Sequence, residues 1–188
     1  MNCSTLKIHF APKFATMKIF LIGYMGSGKS TLGPKLAHRL SVPFIDLDDQ
    51  IAKHEKKSIL QIFEEKGEDA FRLIEKNVLT SSIKSNPDFV MATGGGTPCF
   101  FKNMDLMKKN GITLYLSVPV RELVDRNLHS AAIRPLLRGM NELQMQSFIN
   151  EQLQERLPHY KKAGVTLKEN EMDLDRIEQE VRLMNTMR

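Results

Sequence analysis

The stretch GYMGSGKST, residues 23–31, meets the pattern Gly-x4-Gly-Lys-Ser through Gly23, Gly28, Lys29 and Ser30. Residues of these types at this spacing bind phosphate. Glycines let a loop curl until its backbone N–H groups point inward at phosphate oxygens, and a helix starting at the lysine adds its positive N-terminal end. The expected nucleotide contacts are Gly26, Ser27, Gly28, Lys29, Ser30 and Thr31. Lys29 is expected to reach the β- and γ-phosphates, and the Ser30 hydroxyl to bind Mg²⁺. A chance match in a chain of this length has a probability of roughly 1%, and the strand–loop–helix setting lowers it further.

Other groups bear on what is done with the phosphates. The segment DLD spaces Asp46 and Asp48 two apart, where a strand is expected to end. In extended backbone such a pair points one way, so one carboxylate can serve the metal and the other can take a proton from an acceptor hydroxyl. Away from a phosphate loop, the same pair would be ordinary solvated surface. FRLIE sets Arg72 and Glu75 three apart on one helix face. That is either a surface ion pair or an arginine fork held for a ligand carboxylate. Gly94, Gly95 and Gly96 leave backbone bare to a ligand after a strand, or form a flexible turn. Arg134 and Arg138 lie among apolar residues in an aperiodic stretch, as in a lid that brings a cation onto transferring phosphate or in a plain linker. Arg156 precedes Pro158 and would be a surface arginine without this context.

The elements that must position these groups alternate. Strands are expected at 18–22, in VPFIDLD, in DFVMAT, at 113–118 and in GVTLK. Helices are expected at 29–40, 49–55, from Ser58 to Gly67, at 68–85, 102–110, 120–128, 141–157 (ending before Pro158) and 173–187. Strand–helix alternation predicts an α/β fold of three layers, a five-stranded parallel sheet between helices, with a mobile lid at about 128–140. Ligands of such sheets sit at the carboxyl ends of strands, where Gly23, Asp46 and Gly94 all fall.

At 188 residues the chain is expected to form one domain, 17–188, behind a flexible tail, 1–16, that lacks the apolar segment of a secretory signal. The net charge is +5, but basic residues are scattered and run no longer than pairs such as Lys56-Lys57. That distribution favours small anionic ligands over nucleic acid, and the lack of a long apolar run argues against a membrane span. The two cysteines, Cys3 and Cys99, are not expected to pair, which fits a reducing cytoplasm.

Together, GYMGSGKST, DLD, FRLIE, TGGG, RPLL and ERLPHY resemble the shikimate kinase family in order and approximate spacing, over residues 17–160. The first motif is shared by many nucleotide enzymes; the other five in combination are specific. The resemblance implies an ATP- and Mg²⁺-dependent kinase that phosphorylates the 3-hydroxyl of shikimate; separately, a monomer is expected. It implies Lys29 on the phosphates, Ser30 on Mg²⁺ with Asp46 in the outer shell, and Asp48 on the shikimate hydroxyls as base. Arg72 and Arg156 would bind the shikimate carboxylate, with Glu75 behind Arg72, Gly95 offering backbone, Phe63 and Phe71 beside the substrate, and Arg134 arriving from the lid. An arginine upstream of RPLL covers adenine in the family; Arg126 stands one position from that place. VTLKENEMD lacks the family's Asp and later Pro at their places, so no adenine contact is assigned there. The other readings are a related kinase for gluconate or a nucleoside monophosphate, and a nucleotide-sensing switch. The Asn-Lys-x-Asp string of guanine switches does not occur.

Overall fold

Residue alternation in the central strand, β1 (Lys18–Ile22), feeds two separate cores: Phe20 and Ile22 enter one apolar cluster, Ile19 and Leu21 another. Successive side chains of a strand point to opposite faces, and both faces here are fully buried, as in parallel sheets covered by helices on each side. The computed structural model describes residues 16–130, 137 and 139–187. The expected tail lies outside these residues except for Thr16, as does most of the expected lid, with Arg134 and Arg138.

Strands β2 (Phe44–Asp46), β3 (Phe89–Ala92), β4 (Ile112–Ser117) and β5 (Val165–Lys168) complete a parallel sheet in the order β2-β3-β1-β4-β5. The five strands and the layered α/β architecture are those expected. Leu21 and Asp46 both pair with Ala92 in register. The loops after β1, β2 and β3 therefore leave from one edge.

Helices α1 (Lys29–Leu40) and α7 (Leu174–Thr186) cover the face of Ile19 and Leu21 through Leu36, Leu40, Ile177 and Val181. The other face receives α2 (Leu47–Glu55), α3 (Ile59–Ser85), α4 (Asn103–Asn110) and the end of α6 (Glu142–Tyr160). A third cluster joins α5 (Val120–Leu128) to α6 and includes Tyr24 of the phosphate-binding stretch. Helix α3 opens on the expected Ser58–Gln61 capping box and breaks at Gly67, whose φ of 75° is left-handed.

Two expectations fail. Helix α2 begins at Leu47, not Asp49, so Asp48 is helical and does not share an extended strand with Asp46. Asp46 is the N-cap, and its Oδ1 accepts from the Asp48 N–H at 3.0 Å; this capping bond starts the helix two residues early. Helix α6 passes through Pro158 to Tyr160. Proline removes one helical donor, but Tyr160 is fully buried and its hydroxyl donates to the Gly95 carbonyl at 2.6 Å, which holds the last turn in place.

Candidate active site

The phosphate loop takes its shape from glycines with left-handed backbone: φ is 82° at Gly26 and 95° at Gly28, the residue capping α1. Other residues pay a steric cost there. Lys29 is buried and folds back over the loop, its Nζ donating to the carbonyls of Gly23 (2.7 Å) and Tyr24 (2.8 Å) and to Ser27 Oγ (3.4 Å). The same ammonium is the group a phosphate would draw off those carbonyls.

Ser30 Oγ donates to Asp46 Oδ2 at 3.2 Å. A hydroxyl and a carboxylate meeting at this spot are hard oxygen donors of the kind Mg²⁺ takes, its other positions being filled by phosphate oxygens and water. Among the described residues no group of three His, Cys, Asp or Glu could hold a metal by itself. Ser30 and Asp46 together fit a metal whose remaining ligands a nucleotide would bring. These residues, with Gly26, Gly28, Thr31, Asp48, Gly94, Gly95 and Arg126, line an open cleft of about 650 Å³.

Asp48 is one of the residues that line that cleft. Burial, reinforced by the carboxylates of Asp46 and Glu75, pushes its carboxyl up to about 6; Lys29 and Arg72 offset this only in part. A carboxylate tuned toward neutrality is better matched to proton transfer near pH 7 than one with an ordinary value.

The glycine run is where the phosphate cleft meets the acceptor side. A Cβ at Gly94 would sit 3.2 Å from Asp48 Oδ1 and 3.0 Å from Glu75 Oε1. At Gly95 it would be 3.2 Å from Arg156 Nη1, and at Gly96 only 2.5 Å from Arg72 Nη2. None of the three has positive φ. They are glycines because two carboxylates and two guanidinium groups crowd them, and backbone flexibility is not required. Burial pushes the Cys99 thiol up, while the charges of Arg156 and then Arg72 act in the opposite sense. Arg72 and Arg156, expected from distant segments, are thus brought to one place.

Arg72 is firmly held. Its Nη1 donates to Glu75 Oε2 at 3.0 Å, and its Nε and Nη2 to Glu68 Oε1 at 3.2 and 3.1 Å. Phe63 and Phe71 pack ring to ring at 4.3 Å beside it, and the Arg72 Cζ lies 5.1 Å from the Phe71 ring. Arg156 Cζ lies 5.3 Å from the Tyr24 ring, and Arg156 hydrogen-bonds Gln152. Arg126 ion-pairs with Glu122 at 2.8 Å and with Glu169, and its Nη1 reaches the Gly26 carbonyl at 3.4 Å. It lies against the phosphate loop, tied to the loop after β5.

Several supporting groups are absent from the sequence reading. Glu68 stands four residues before Arg72, a spacing that could have been read. Thr97 donates to Glu75 Oε1 at 2.6 Å and Tyr160 to Gly95; both contacts are long-range and leave no local signal.

The family model for shikimate kinase matches residues 25–184. A shikimate kinase from Parabacteroides distasonis is 44% identical over 155 residues, covering 82% of this chain and 89% of the relative. Among solved structures, shikimate kinase from Bacteroides thetaiotaomicron superposes with a TM-score of 0.80 at 37% identity, covering 91% of this chain and 97% of its own. Shikimate kinase from Acinetobacter baumannii, solved in complex with shikimate, gives 0.78 at 33% identity, covering 93% and 96%. With its phosphate loop, its raised carboxylate and its paired arginines in the matched region, the chain belongs to the shikimate kinase family.

Proposed function

We propose that this chain transfers the γ-phosphoryl of ATP to the 3-hydroxyl of shikimate, yielding shikimate 3-phosphate and ADP, a step of aromatic amino acid biosynthesis. The observation that carries this reading is the position of Asp48, which lines the phosphate cleft and would stand 3.2 Å from a Cβ at Gly94, in the glycine run that Arg72 and Arg156 crowd. A proton acceptor between a phosphate donor and a carboxylate clamp suits a small acidic alcohol.

In this reading the loop N–H groups and Lys29 hold the phosphates, and Asp48 takes the proton of the attacking hydroxyl as the new O–P bond forms and the bond from the γ-phosphorus to the bridging oxygen breaks, that oxygen leaving on ADP. Arg72 and Arg156 fix the acceptor by its carboxylate, Gly94, Gly95 and Gly96 line its path, and Phe63 and Phe71 supply an apolar wall. Glu75 keeps Arg72 aimed. Mg²⁺, held by Ser30 with Asp46 in the outer shell, would neutralise charge on the β- and γ-phosphates. Arg126 would lie near the nucleotide, and Arg134, outside the described residues, would come from the lid. We further propose a cytoplasmic, monomeric enzyme with no nucleic-acid partner; no helix among the described residues is long and apolar enough to cross a membrane.

The test is ADP release measured with shikimate, gluconate and AMP side by side, with ³¹P NMR of the product. Shikimate alone should support rapid turnover. Faster turnover with gluconate or AMP would overturn the assignment.

A further inference from the structure

We infer that Phe100 is a positioning residue for the acceptor's carboxylate, acting through Arg72. The Arg72 Cζ lies 4.3 Å from the centroid of the Phe100 ring, closer than to Phe71. Glu68 and Glu75 take three of the five guanidinium N–H groups, which leaves one on each terminal nitrogen for a carboxylate; the guanidinium carbon lies over the Phe100 ring. A ring face attracts a cation most strongly where water is excluded, and Arg72 is buried.

The backbone shows that this ring is held where it is at a cost. The Phe100 carbonyl accepts from the Asn103 N–H at 2.9 Å, closing a turn over Phe101 and Lys102. Both have left-handed φ, 47° and 57°, and neither is glycine. Non-glycine residues enter this region at a steric cost, and two in succession are unusual. The turn is pinned from below: fully buried Asn103 donates to the Thr97 carbonyl at 3.1 Å, and the Thr97 hydroxyl donates to Glu75. It thus reaches Arg72 by two routes, the ring face of Phe100 and the chain Asn103–Thr97–Glu75.

Packing does not account for Phe100. It is half-buried and belongs to none of the three apolar clusters of the described residues, and its neighbour Phe101 is exposed. The strained turn aims an aromatic ring at a guanidinium. A fixed Arg72 needs no ordering when substrate arrives, so the contribution of Phe100 should appear in acceptor affinity and leave the chemical step alone.

This inference rests on Arg72 binding the acceptor carboxylate, and the experiment separates the two. Steady-state kinetics are measured on the full chain for Phe100→Leu, Phe100→Tyr and Arg72→Lys, each with its melting curve. Phe100→Leu should raise the KM for shikimate ~3–30-fold, with kcat and the KM for ATP within about twofold of wild type, and Phe100→Tyr should restore wild-type behaviour because the ring face is kept. If Arg72→Lys raises the shikimate KM while Phe100→Leu does not, the positioning role is overturned and the clamp stands. If Arg72→Lys leaves the shikimate KM unchanged, the clamp itself is wrong. Parallel changes in kcat and both KM values with a lowered melting temperature in Phe100→Leu would mark a purely structural residue and overturn the inference. Should Phe100→Leu not fold, Phe100→Tyr still decides: a tyrosine variant with a shikimate KM far above wild type and an unchanged melting curve overturns it.

Discussion

The phosphate end and the acceptor end of this site are built in opposite ways. Apart from Asp46, Arg126 and the expected lid arginine Arg134, the groups proposed to hold nucleotide and metal lie within residues 23–31, on one loop and the first turn of α1. The acceptor end draws Asp48 from α2, Arg72 and Glu75 from α3, the glycines from the loop after β3, and Arg156 from α6. A contiguous loop needs only its own backbone to be right. A dispersed site exists only once the sheet and its helices have packed, so its parts are bound into the stability of the fold.

The contrast recurs between the two arginines. Arg72 is buried and holds two carboxylates, of which Glu75 is fully buried. Arg156 is half-buried, and among the described residues its partners are the Gln152 amide, the Tyr24 ring and the Tyr160 hydroxyl, with no carboxylate. Arg72 is thus nearly neutralised before substrate binds, whereas Arg156 brings net positive charge to the pocket.

The sharpest way to break this division is Asp48, which belongs to the acceptor end yet lines the phosphate cleft. Asp48→Asn should lower kcat ~10²–10⁴-fold while the Kd for nucleotide changes little. Lost nucleotide affinity with turnover retained would move Asp48 to the metal end. Lys29→Ala should lower kcat at least ~10²-fold and lower the melting temperature only modestly, since the buried ammonium also satisfies the Gly23 and Tyr24 carbonyls.

The arginines should then separate. Arg72→Lys and Arg156→Lys should each weaken shikimate binding ~10–150-fold in calorimetry, since an ammonium does not reproduce the two-pronged geometry. Arg72→Ala should also destabilise the fold by about 3–5 kcal/mol in urea, because Glu75 would remain buried and unpaired. Arg156→Ala should leave stability close to wild type. Equal losses of stability would erase the distinction.

The smallest effect concerns pH. The Asp48 carboxyl is raised in the folded, metal-free protein to about 6 from 3.8. The fold therefore favours the protonated acid: that contribution is fully present below pH 3.8 and is lost as pH rises through about 6. Asp48→Asn, which is always neutral, should be the more stable protein at pH 7, by about 1–3 kcal/mol, and the gain should vanish near pH 4. Urea unfolding of both proteins without metal checks the sign.

The shape of the phosphate loop could be read from sequence because its geometry is local. The sheet was also legible, since each apolar run is bounded by glycine, proline or a capping residue. The acceptor end was legible only as types. Arg72 and Glu75 could be paired by helical spacing, but Tyr160 holding Gly95 and Thr97 holding Glu75 join segments 65 and 22 residues apart. Asp46 and Asp48 were expected together for the wrong reason: a cap and the helix behind it, not an extended strand, bring them to the site. Pro158 misleads because a buried tyrosine two residues later outweighs one missing backbone donor.

Tyr24 has a bearing on how such enzymes could be re-engineered. It fills one of the four positions between Gly23 and Gly28 that the phosphate-loop pattern leaves open. Its carbonyl receives Lys29, while its ring lies beneath Arg156. A loop borrowed from another kinase would satisfy every requirement of nucleotide binding and still strip the aromatic floor from the acceptor clamp. With the clamp as proposed, the two substrate specificities are not separable modules, and a loop exchange made to alter one should be accompanied by an aromatic residue at this position to keep the other.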